Sequence, residues 1–414
     1  MGQKGERPVH FPLPEEVLRT MRRFDAAGVE VYLVGGCVRD LLRGVTPHDY
    51  DMTTAALPDE VHRLFAGEKL IDTGIRHGTV TLLVGGMPLE ITTYRIDGGY
   101  RDNRHPDAVT FATGLREDVI RRDFTMNAIA YHPARGIVDY TGGAADIAAR
   151  CIRAVGEPGR RFREDALRVL RAFRFAATLD FSLDENTAAE ARRHAPLLSS
   201  ISRERVREEV EKLLCGVAAG RILQEEAASL TLAVPGLSLL PETPMLVDAL
   251  PGDPLLRWAA FLFAFRGDRA EEAGAILDGL RSDRHTRDTV KKLLAHAEDP
   301  WQGGERDLRR LAANVGFPDA GRLLEMHLAM ARTRQDETDA RQAEEALLCL
   351  AGIQKAGVCC SLADLAVNGR DLLCAGIPEG KALGLCLRRL LAAVLDGTVP
   401  NEREALLAFA ETES

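Results

Sequence analysis

The hydrophobic positions of the first 150 residues follow two different periods, which predict helices and strands in alternation. Apolar residues recur at helical spacing in residues 14–28, 37–44 and 57–65. Apolar and β-branched runs at 29–34, 50–54 and 78–95 predict short strands, the last of them paired as a hairpin. This order predicts an N-terminal α/β domain built on one mixed sheet.

The pattern changes near residue 150. Residues 163–179, 185–198, 203–216 and 255–265 all fit helical periodicity, and few runs rich in β-formers remain. No repeat of fixed period is evident. The predicted fold class is therefore α+β, with a mixed-sheet α/β head followed by a long, all-helical remainder.

Composition and charge narrow the function classes. The chain has 414 residues, of which 46% are hydrophobic and 28% charged, as in a globular protein of roughly two to four domains. It has no apolar run of membrane-spanning length and no stretch of the signal-peptide type, so we expect a cytoplasmic protein that does not contact a membrane. The net charge of −9 argues against a protein that coats nucleic acid indiscriminately, but it allows a local basic groove. The eight cysteines show no zinc-ligand spacing and are expected to be reduced core residues.

Two glycines and an arginine follow the first predicted strand. Gly35 and Gly36 lead into a short helix, and the N–H groups of such a turn form a concave surface for an anion. Arg39, one turn into the helix, can add a charged contact to a phosphate. A structural turn explains a glycine pair alone better, and the absence of G-x-G-x-x-G and of a P-loop motif argues against the Rossmann and P-loop classes.

Asp49 and Asp51 are separated by one residue on the second predicted strand. Residues i and i+2 of a strand face the same side, so the two carboxylates converge and repel each other unless a cation or solvent separates them. Carboxylate oxygens suit Mg²⁺, which usually keeps water and substrate phosphate as its other ligands. The pair therefore predicts a magnesium site, and Glu90 on a neighbouring predicted strand is an open candidate for a third carboxylate. The dipeptide His48-Asp49 is not accompanied by the grouped histidines of an HD phosphohydrolase.

Residues 115–131 place four polar side chains between a short predicted helix and a strand. They are Arg121, Arg122, Asp123 and Asn127. This set of donors and acceptors suits a phosphate or a ribose hydroxyl, and it suits a salt-bridged helix end equally well.

Residues 150–176 hold eight arginines and only three acidic residues, against the sign of the whole chain. Asp165, Arg168, Arg171 and Arg174 follow one another at intervals of three along a predicted helix. Three arginines in one row repel one another unless an anion lies across them. The alternative is a solvated face of surface ion pairs.

An adjacent Asp and Arg can also select a base. Cytosine and adenine each present an amino donor beside a ring-nitrogen acceptor, which an Asp acceptor next to an Arg donor matches. Uracil and guanine present a carbonyl and an N–H at those places, which would leave buried polar groups unpaired. Asp165 and Arg168 therefore permit a site that selects C and A over U and G.

Four ordered motifs give the chain a family resemblance. "LVGGCVRD…PHDYDMTT", "DTGIRHGTVTLL", "RRDFTMNAIAY" and "RFREDALRVLRAFRFAATLDF" resemble those of the bacterial class II tRNA nucleotidyltransferases, the CCA-adding enzymes of the tRNA nucleotidyltransferase/poly(A) polymerase family. The resemblance is dense over residues 28–215 and patchier beyond. It implies a nucleotidyltransferase head (1–150), a base-recognising neck (151–215), a body (216–300) and a tRNA-binding tail (301–414), with tRNA, CTP and ATP as partners.

The resemblance also implies a role for each matching residue. Asp49 and Asp51 correspond to the catalytic carboxylates that bind Mg²⁺. The residues that would hold the nucleotide are Gly35, Gly36, Arg39, Arg121, Arg122, Asp123, Asn127, Glu164, Asp165, Arg168, Arg171 and Arg174, with Asp165 and Arg168 as the protein template for the base. Residues 202–214 correspond to a later neck element that we expect to be a helical scaffold. No protein partner is evident.

Relatives that add only CC, only A or poly(A) remain alternatives, as does an inactive tRNA-binding protein. Residues 94–111 occupy the position of the flexible loop that the family needs to switch from C to A addition, and they show no evident deletion. This favours addition of the complete CCA. The intact carboxylate pair argues against an inactive homologue.

Overall fold

The computed structural model describes residues 10–72, 74–97, 109–112, 114–263, 269–299 and 304–412. The chain divides into two compact units. The first comprises Met1–Ala218 with Glu225–Pro235, and the second comprises Ala219–Gln224 with Gly236–Ser414. Among the described residues, none of the helices combines the length and the apolar composition that crossing a membrane requires.

Strands are confined to the first unit within the described part of the chain. They are β1 (Val31–Val34), β2 (Asp51–Thr54), β3 (Lys69–Ile71), β4 (Thr79–Val84), β5 (Met87–Thr93), β6 (Arg95–Asp97), β7 (Val109–Phe111), β8 (Ile129–His132), β9 (Gly136–Asp139), β10 (Cys151–Ile152) and β11 (Ser182–Leu183).

Seven of the strands form one sheet in the order β3-β4-β5-β2-β1-β8-β9. Only β2 and β5 run parallel, whereas the other neighbours are antiparallel, so the predicted mixed sheet is confirmed. The predicted hairpin is β4–β5, and Gly85 and Gly86 close it with φ of 60° and 88°, a backbone conformation that favours glycine. Strands β6 and β7 pair with each other on either side of residues 98–108, so most of the predicted flexible loop lies outside the described residues.

The helices of the first unit carry or cover the sheet and continue beyond it. They are α1 (Glu15–Ala26), α2 (Gly36–Leu42), α3 (Pro58–Leu64), α4 (Leu115–Ile120), α5 (Gly143–Ala148), α6 (Pro158–Glu164), α7 (Leu167–Leu179), α8 (Glu185–His194), α9 (Arg203–Leu214) and, after α10 (Ala219–Glu225), α11 (Ala227–Ala233). Helices α7 and α9 pack against each other, which brings two segments of the predicted neck together.

In its described residues, the second unit has helices as its regular secondary structure. Besides most of α10 it contains α12 (Thr243–Ala249), α13 (Pro254–Leu262), α14 (Arg269–Gly279), α15 (Arg284–His296), α16 (Glu305–Val315), α17 (Phe317–Arg334), α18 (Glu337–Lys355), α19 (Gly369–Cys374), α20 (Lys381–Leu395) and α21 (Arg403–Thr412). Together with the mixed-sheet head, this confirms the predicted fold class.

One part of the core lies on the face of the sheet that α4 covers. Tyr32 and Val34 of β1, Ala128 and Ala130 at the start of β8, and Leu115 and Val119 of α4 form one buried cluster. Apolar burial of this kind is the main favourable contribution to folding. It fixes α4, and with it the arginines that follow α4, relative to the centre of the sheet.

The prediction of one continuous helix over residues 163–179 was wrong at Asp165 and Ala166, which separate two helices. Helix α6 ends at Glu164, and Asp165 is extended, with φ −142° and ψ 106°. Its Oδ1 accepts a hydrogen bond from the N–H of Leu167, 3.0 Å away, at the start of α7. Asp side chains compete with the helix for backbone N–H groups in this way. The chain therefore turns at Asp165, and two helices replace one.

Candidate active site

The glycine turn lies at the centre of the sheet edge because of the register of three strands. β1 pairs antiparallel with β2, so that Leu33 lies opposite Met52, and antiparallel with β8, so that Val34 lies opposite Ala130. The end of β1 therefore lies beside the start of both neighbours. Gly35 follows at this point, with Asp51 on one side and the segment before β8 on the other.

Gly35 requires the conformational freedom of glycine. Its φ is 82° and its ψ is −134°, and its N–H donates to the carbonyl of Ile129 at 3.3 Å. A Cβ at this position would lie 3.3 Å from Nη1 of Arg122. The backbone at Gly35 therefore lies close to the guanidinium of Arg122 and leads directly into the first turn of α2.

Three carboxylates interact next to this turn. Asp51 is the first residue of β2 and is partly buried, Asp49 is exposed just before the strand, and Glu90 is the register partner of Asp51 on the parallel strand β5. Burial, together with charge repulsion from Asp49 and Glu90, raises the pKa of Asp51 to about 6, although the charge of Arg122 opposes this rise. The two predicted carboxylates are thus close enough to interact, and Glu90 belongs to the same electrostatic cluster.

The donor set fits a hard divalent cation. Carboxylate oxygens are the ligands such ions prefer, and a cation would relieve the repulsion that raises the pKa of Asp51. No group of three or more His, Cys, Asp or Glu side chains among the described residues is arranged as a complete metal site. The geometry therefore fits an ion that takes its remaining ligands from water or a phosphate.

A chain of hydrogen bonds connects α2 to α7. Arg39 donates from Nη1 to Oδ1 of Asn127 at 3.0 Å, and Asn127 donates from Nδ2 to Oδ1 of Asp123 at 3.3 Å. Asp123 accepts from Nε and Nη2 of Arg171 at 2.8 and 2.6 Å. Although burial alone would raise the pKa of Asp123, the charge and hydrogen bonds of Arg171 hold it at about 2. Four of the predicted residues are therefore joined in one network.

The row of arginines on α7 is neutralised by carboxylates of the protein itself. Arg174 donates from Nε to Glu209 of α9 at 2.9 Å, and Arg171 lies 3.8 Å from the other oxygen of the same carboxylate. The ring of Phe175 is contacted by the guanidinium groups of Arg39, Arg171 and Arg174, whose carbons lie 5.4, 5.4 and 3.5 Å from its centroid. Glu209 and Phe175 therefore hold the arginines in place without a ligand.

Asp165 and Arg168 have different partners. Asp165 accepts from Nη2 of Arg205 on α9 at 3.0 Å. The guanidinium of Arg168 is buried and donates to Glu164 at 2.9 Å and to the carbonyl of Arg121 at 3.2 Å. The two side chains are therefore held independently, by different partners.

Four residues of this network were not singled out in the sequence. Asp118 is fully buried between Arg121 and Arg122, and Arg205, Glu209 and Phe175 contact the arginines or the aspartate of the predicted base template. Residues 202–214 form helix α9, as expected, but two of its side chains reach the site. Arg205 and Glu209 are four residues apart and so lie on one face of α9, and this spacing is the sequence feature that could have identified them.

Comparison with family models covers most of the chain. Residues 31–153 match the poly A polymerase head domain, and residues 180–225 match a probable RNA and SrmB-binding site of polymerase A. Residues 255–410 match a putative tRNA nucleotidyltransferase domain 2.

Curated relatives match over nearly the whole length. The chain is 35% identical over 398 residues to a CCA-adding enzyme of Lactobacillus delbrueckii subsp. bulgaricus, which covers 95% of this chain and 96% of that protein. It is 36% identical over 404 residues to a CCA-adding enzyme of Bacillus licheniformis, covering 94% and 96%.

Solved structures share the fold. The Bacillus stearothermophilus CCA-adding enzyme in complex with CTP superposes with a TM-score of 0.79 at 32% identity, covering 96% of this chain and 97% of that one. The Thermotoga maritima CCA-adding enzyme complexed with tRNA has a TM-score of 0.60 at 21% identity, covering 97% and 96%, and supports the fold alone.

Proposed function

Because the chain belongs to the family of the CCA-adding enzymes, which are nucleotidyltransferases, we propose that it adds C, C and A in turn to the 3′ end of tRNA. CTP and ATP are the substrates and pyrophosphate is the second product. The observation that carries the proposal is the cluster of Asp49, Asp51 and Arg122 around the Gly35–Gly36 turn. It combines carboxylates for a cation with donors for a triphosphate.

In this proposal the triphosphate is held by backbone and arginine donors. Gly36 offers its N–H at the start of α2, and Arg39 and Arg122 offer guanidinium groups on either side of the turn. Nε of Arg122 is buried and has no hydrogen-bond partner among the described residues. A buried donor of this kind is costly unless a ligand accepts from it, which supports a phosphate contact. Arg171 and Arg174 supply further positive charge from α7.

Asp49 and Asp51 would hold Mg²⁺, and Glu90, the register partner of Asp51, would add negative charge beside them. When bound, the ion lowers the pKa of the attacking 3′-hydroxyl and neutralises charge on the leaving pyrophosphate. The protein's own groups bind and orient the substrates. The 3′-hydroxyl of tRNA loses its proton to solvent as its oxygen forms a bond to the α-phosphorus. The bond from that phosphorus to the bridging oxygen breaks, and pyrophosphate leaves while Arg39 and Arg122 stabilise its charge.

Asp165 and Arg168 select the base in this proposal. Arg205 orients the carboxylate of Asp165, and Glu164 with the carbonyl of Arg121 orients the guanidinium of Arg168 before a base arrives. Cytosine and adenine present a donor and an acceptor to this pair, whereas uracil and guanine would leave it unpaired.

The helical part of the chain is proposed to hold the tRNA. We retain the division into neck (151–215), body (216–300) and tail (301–414), and expect the acceptor arm to be bound through its shape and phosphates rather than its sequence. Since tRNA is the substrate, the cytoplasm is the proposed location.

The test uses purified protein and a tRNA transcript that ends before the CCA. It is incubated with CTP alone, ATP alone and both, and the products are separated on a sequencing gel. We expect two additions with CTP and a third, A, only when ATP is also present. Asp49→Ala should bind tRNA and add nothing, a loss of at least about a thousandfold, while Asp59→Ala on the exposed face of α3 should remain active.

Each alternative gives a different product. A stop after CC identifies a CC-adding enzyme, an A added only to a transcript ending in CC identifies an A-adding enzyme, and a long A tail identifies a poly(A) polymerase. Binding of tRNA without any addition identifies an inactive homologue. Substantial activity in Asp49→Ala would remove Asp49 from the metal role.

A further inference from the structure

Asp118 is a fully buried carboxylate to which the proposed mechanism gives no role. Its side chain has 0% exposure and lies within α4, three residues before Arg121. Arg121 donates to Oδ1 at 2.6 Å and Arg122 donates to Oδ2 at 3.1 Å. One carboxylate thus serves two guanidinium groups of neighbouring residues.

A third contact connects Asp118 to the strand that carries Asp51. The hydroxyl of Thr53 donates to Oδ2 of Asp118 at 3.1 Å, and Thr53 is itself completely buried. Thr53 lies two residues after Asp51 on β2, so both side chains face the same side of the sheet. Asp118 is therefore a bridge between β2 and Arg122.

The guanidinium of Arg122 lies beside both the Gly35 turn and the carboxylate of Asp51. Its Nη1 approaches Gly35 so closely that a Cβ there would be 3.3 Å away, and its charge lowers the pKa of Asp51. Its salt bridge is with Asp118. A long arginine side chain loses rotamer entropy when it is ordered, so ordering it before the nucleotide binds strengthens binding.

The charge state of Asp118 fits this bridge. Burial alone would raise its pKa, but the charges of Arg122 and Arg121 outweigh burial and lower the pKa below its ordinary value. The carboxylate stays ionised and accepts from both guanidinium groups. An amide at the same place would keep the shape but lose the charge and turn a donor toward one of the arginines.

We propose that Asp118 is a positioning residue for nucleotide binding, because it holds the Arg122 guanidinium against the Gly35 turn and locks it to strand β2. The inference rests on the proposed function, in which Arg122 contacts the triphosphate. Asp118 acts through Arg122 and does not touch the substrate itself.

The test is a double-mutant cycle of Asp118→Asn and Arg122→Met. Equilibrium dissociation constants for CTP are measured by calorimetry, and single-turnover C addition is measured over a range of CTP concentrations. We expect Asp118→Asn to weaken CTP binding about tenfold or more, the loss expected for one charge-assisted hydrogen bond, with a smaller effect on the rate at saturating CTP. In the Arg122→Met background the same change should weaken CTP binding less than twofold.

Thermal unfolding of each variant separates positioning from stability. If Asp118 only stabilises the fold, Asp118→Asn lowers the melting temperature equally in both backgrounds and leaves CTP binding unchanged below it. Asp319→Asn is the matched control, because Asp319 of the second unit is a buried carboxylate with two basic partners, Lys292 and Arg322. It should lose stability without a change in CTP affinity.

Thr53→Val is a second variant that tests the same inference if Asp118→Asn does not fold. It removes only the hydroxyl that connects Asp118 to β2, and it should weaken CTP binding in the wild-type background but not with Arg122→Met. An unchanged CTP affinity in the folded variants, or an equal loss in both backgrounds, would overturn the inference. A wild type that binds CTP but transfers nothing would contradict the proposed function alone.

Discussion

Single residues of the site are held by charges that compensate one another inside the protein. Asp123 is 9% exposed, and its carboxylate accepts from Arg171, from the side chain of Asn127 and from the N–H of Phe124. A buried carboxylate with this many donors favours its ionised form. Its partners therefore make Asp123 a source of stability as well as a member of the proposed nucleotide site.

That contribution should depend on pH in a defined window. The pKa of Asp123 is lowered from 3.8 to about 2, so its stabilisation is complete above about pH 5 and is lost as the pH falls toward 2. Urea unfolding of the wild type and of Asp123→Asn should differ by a margin that is constant above pH 5 and narrows by about 2 kcal/mol on acidification.

Arg171→Met provides the control for this pH dependence. In that background, substitution of Asp123 should change the free energy of unfolding by an amount that depends much less on pH, since Arg171 is the main cause of the lowered pKa. A wild-type margin that is the same at pH 5 and pH 3 would contradict the assignment.

At the scale of secondary-structure elements, the turn between α6 and α7 and the neighbouring helix α9 determine how the proposed base template is held. Asp165 accepts from Leu167 on one side and from Arg205 on the other. Its side chain is 19% exposed, so the carboxylate remains partly accessible to a ligand although both hydrogen bonds hold it in place. Nη1 of the same Arg205 is buried and has no hydrogen-bond partner among the described residues.

Arg205→Met is expected to relax base selection more than it lowers stability. The ion pair with Asp165 is partly exposed and contributes about 1 kcal/mol or less to folding. Without it, the carboxylate is free to rotate, and incorporation of U relative to C should rise about tenfold in a competition between UTP and CTP.

Arg203→Met is the matched control on the same helix. Arg203 donates to the carbonyls of Ala233 and Ser199 and does not contact Asp165. It should leave the ratio of U to C unchanged. Equal ratios in Arg205→Met and the wild type would show that Asp165 does not depend on α9.

At the scale of the whole molecule, the chain divides its tasks between two units. Every residue proposed to bind the nucleotide or the metal lies in the first unit, whereas the proposed tail lies in the second. CTP and tRNA should therefore protect different segments of the chain from hydrogen exchange.

Hydrogen exchange measured by mass spectrometry can show which segments each ligand protects. CTP with Mg²⁺ should slow exchange at least about tenfold in peptides of α2, α4 and α7, with little change in α17 to α21, because bound ligands suppress local opening only where they bind. tRNA should add protection in the second unit. UTP with Mg²⁺ is the control, and equal protection of both units by CTP alone would contradict the division.

Local patterns were sufficient to predict much of the fold and part of the site. Helical and strand periodicity predicted α1 to α3, the β4–β5 hairpin and the helical remainder, because these periods depend on near neighbours in the chain. The glycine turn and the two aspartates were recognised for the same reason, since their chemistry lies within a few residues.

The sequence by itself therefore determined the elements, the family and the short motifs that carry the chemistry. Only the tertiary structure decided that Glu90 lies opposite Asp51, that Arg205 rather than Arg168 holds Asp165, and that Asp118 joins Arg122 to β2. These contacts join segments far apart in the chain, such as Thr53 and Asp118, or depend on a break in a helix whose periodicity continues through it. The physical reason is that partner choice for a buried charge is set by strand register and helix packing, which no local pattern contains.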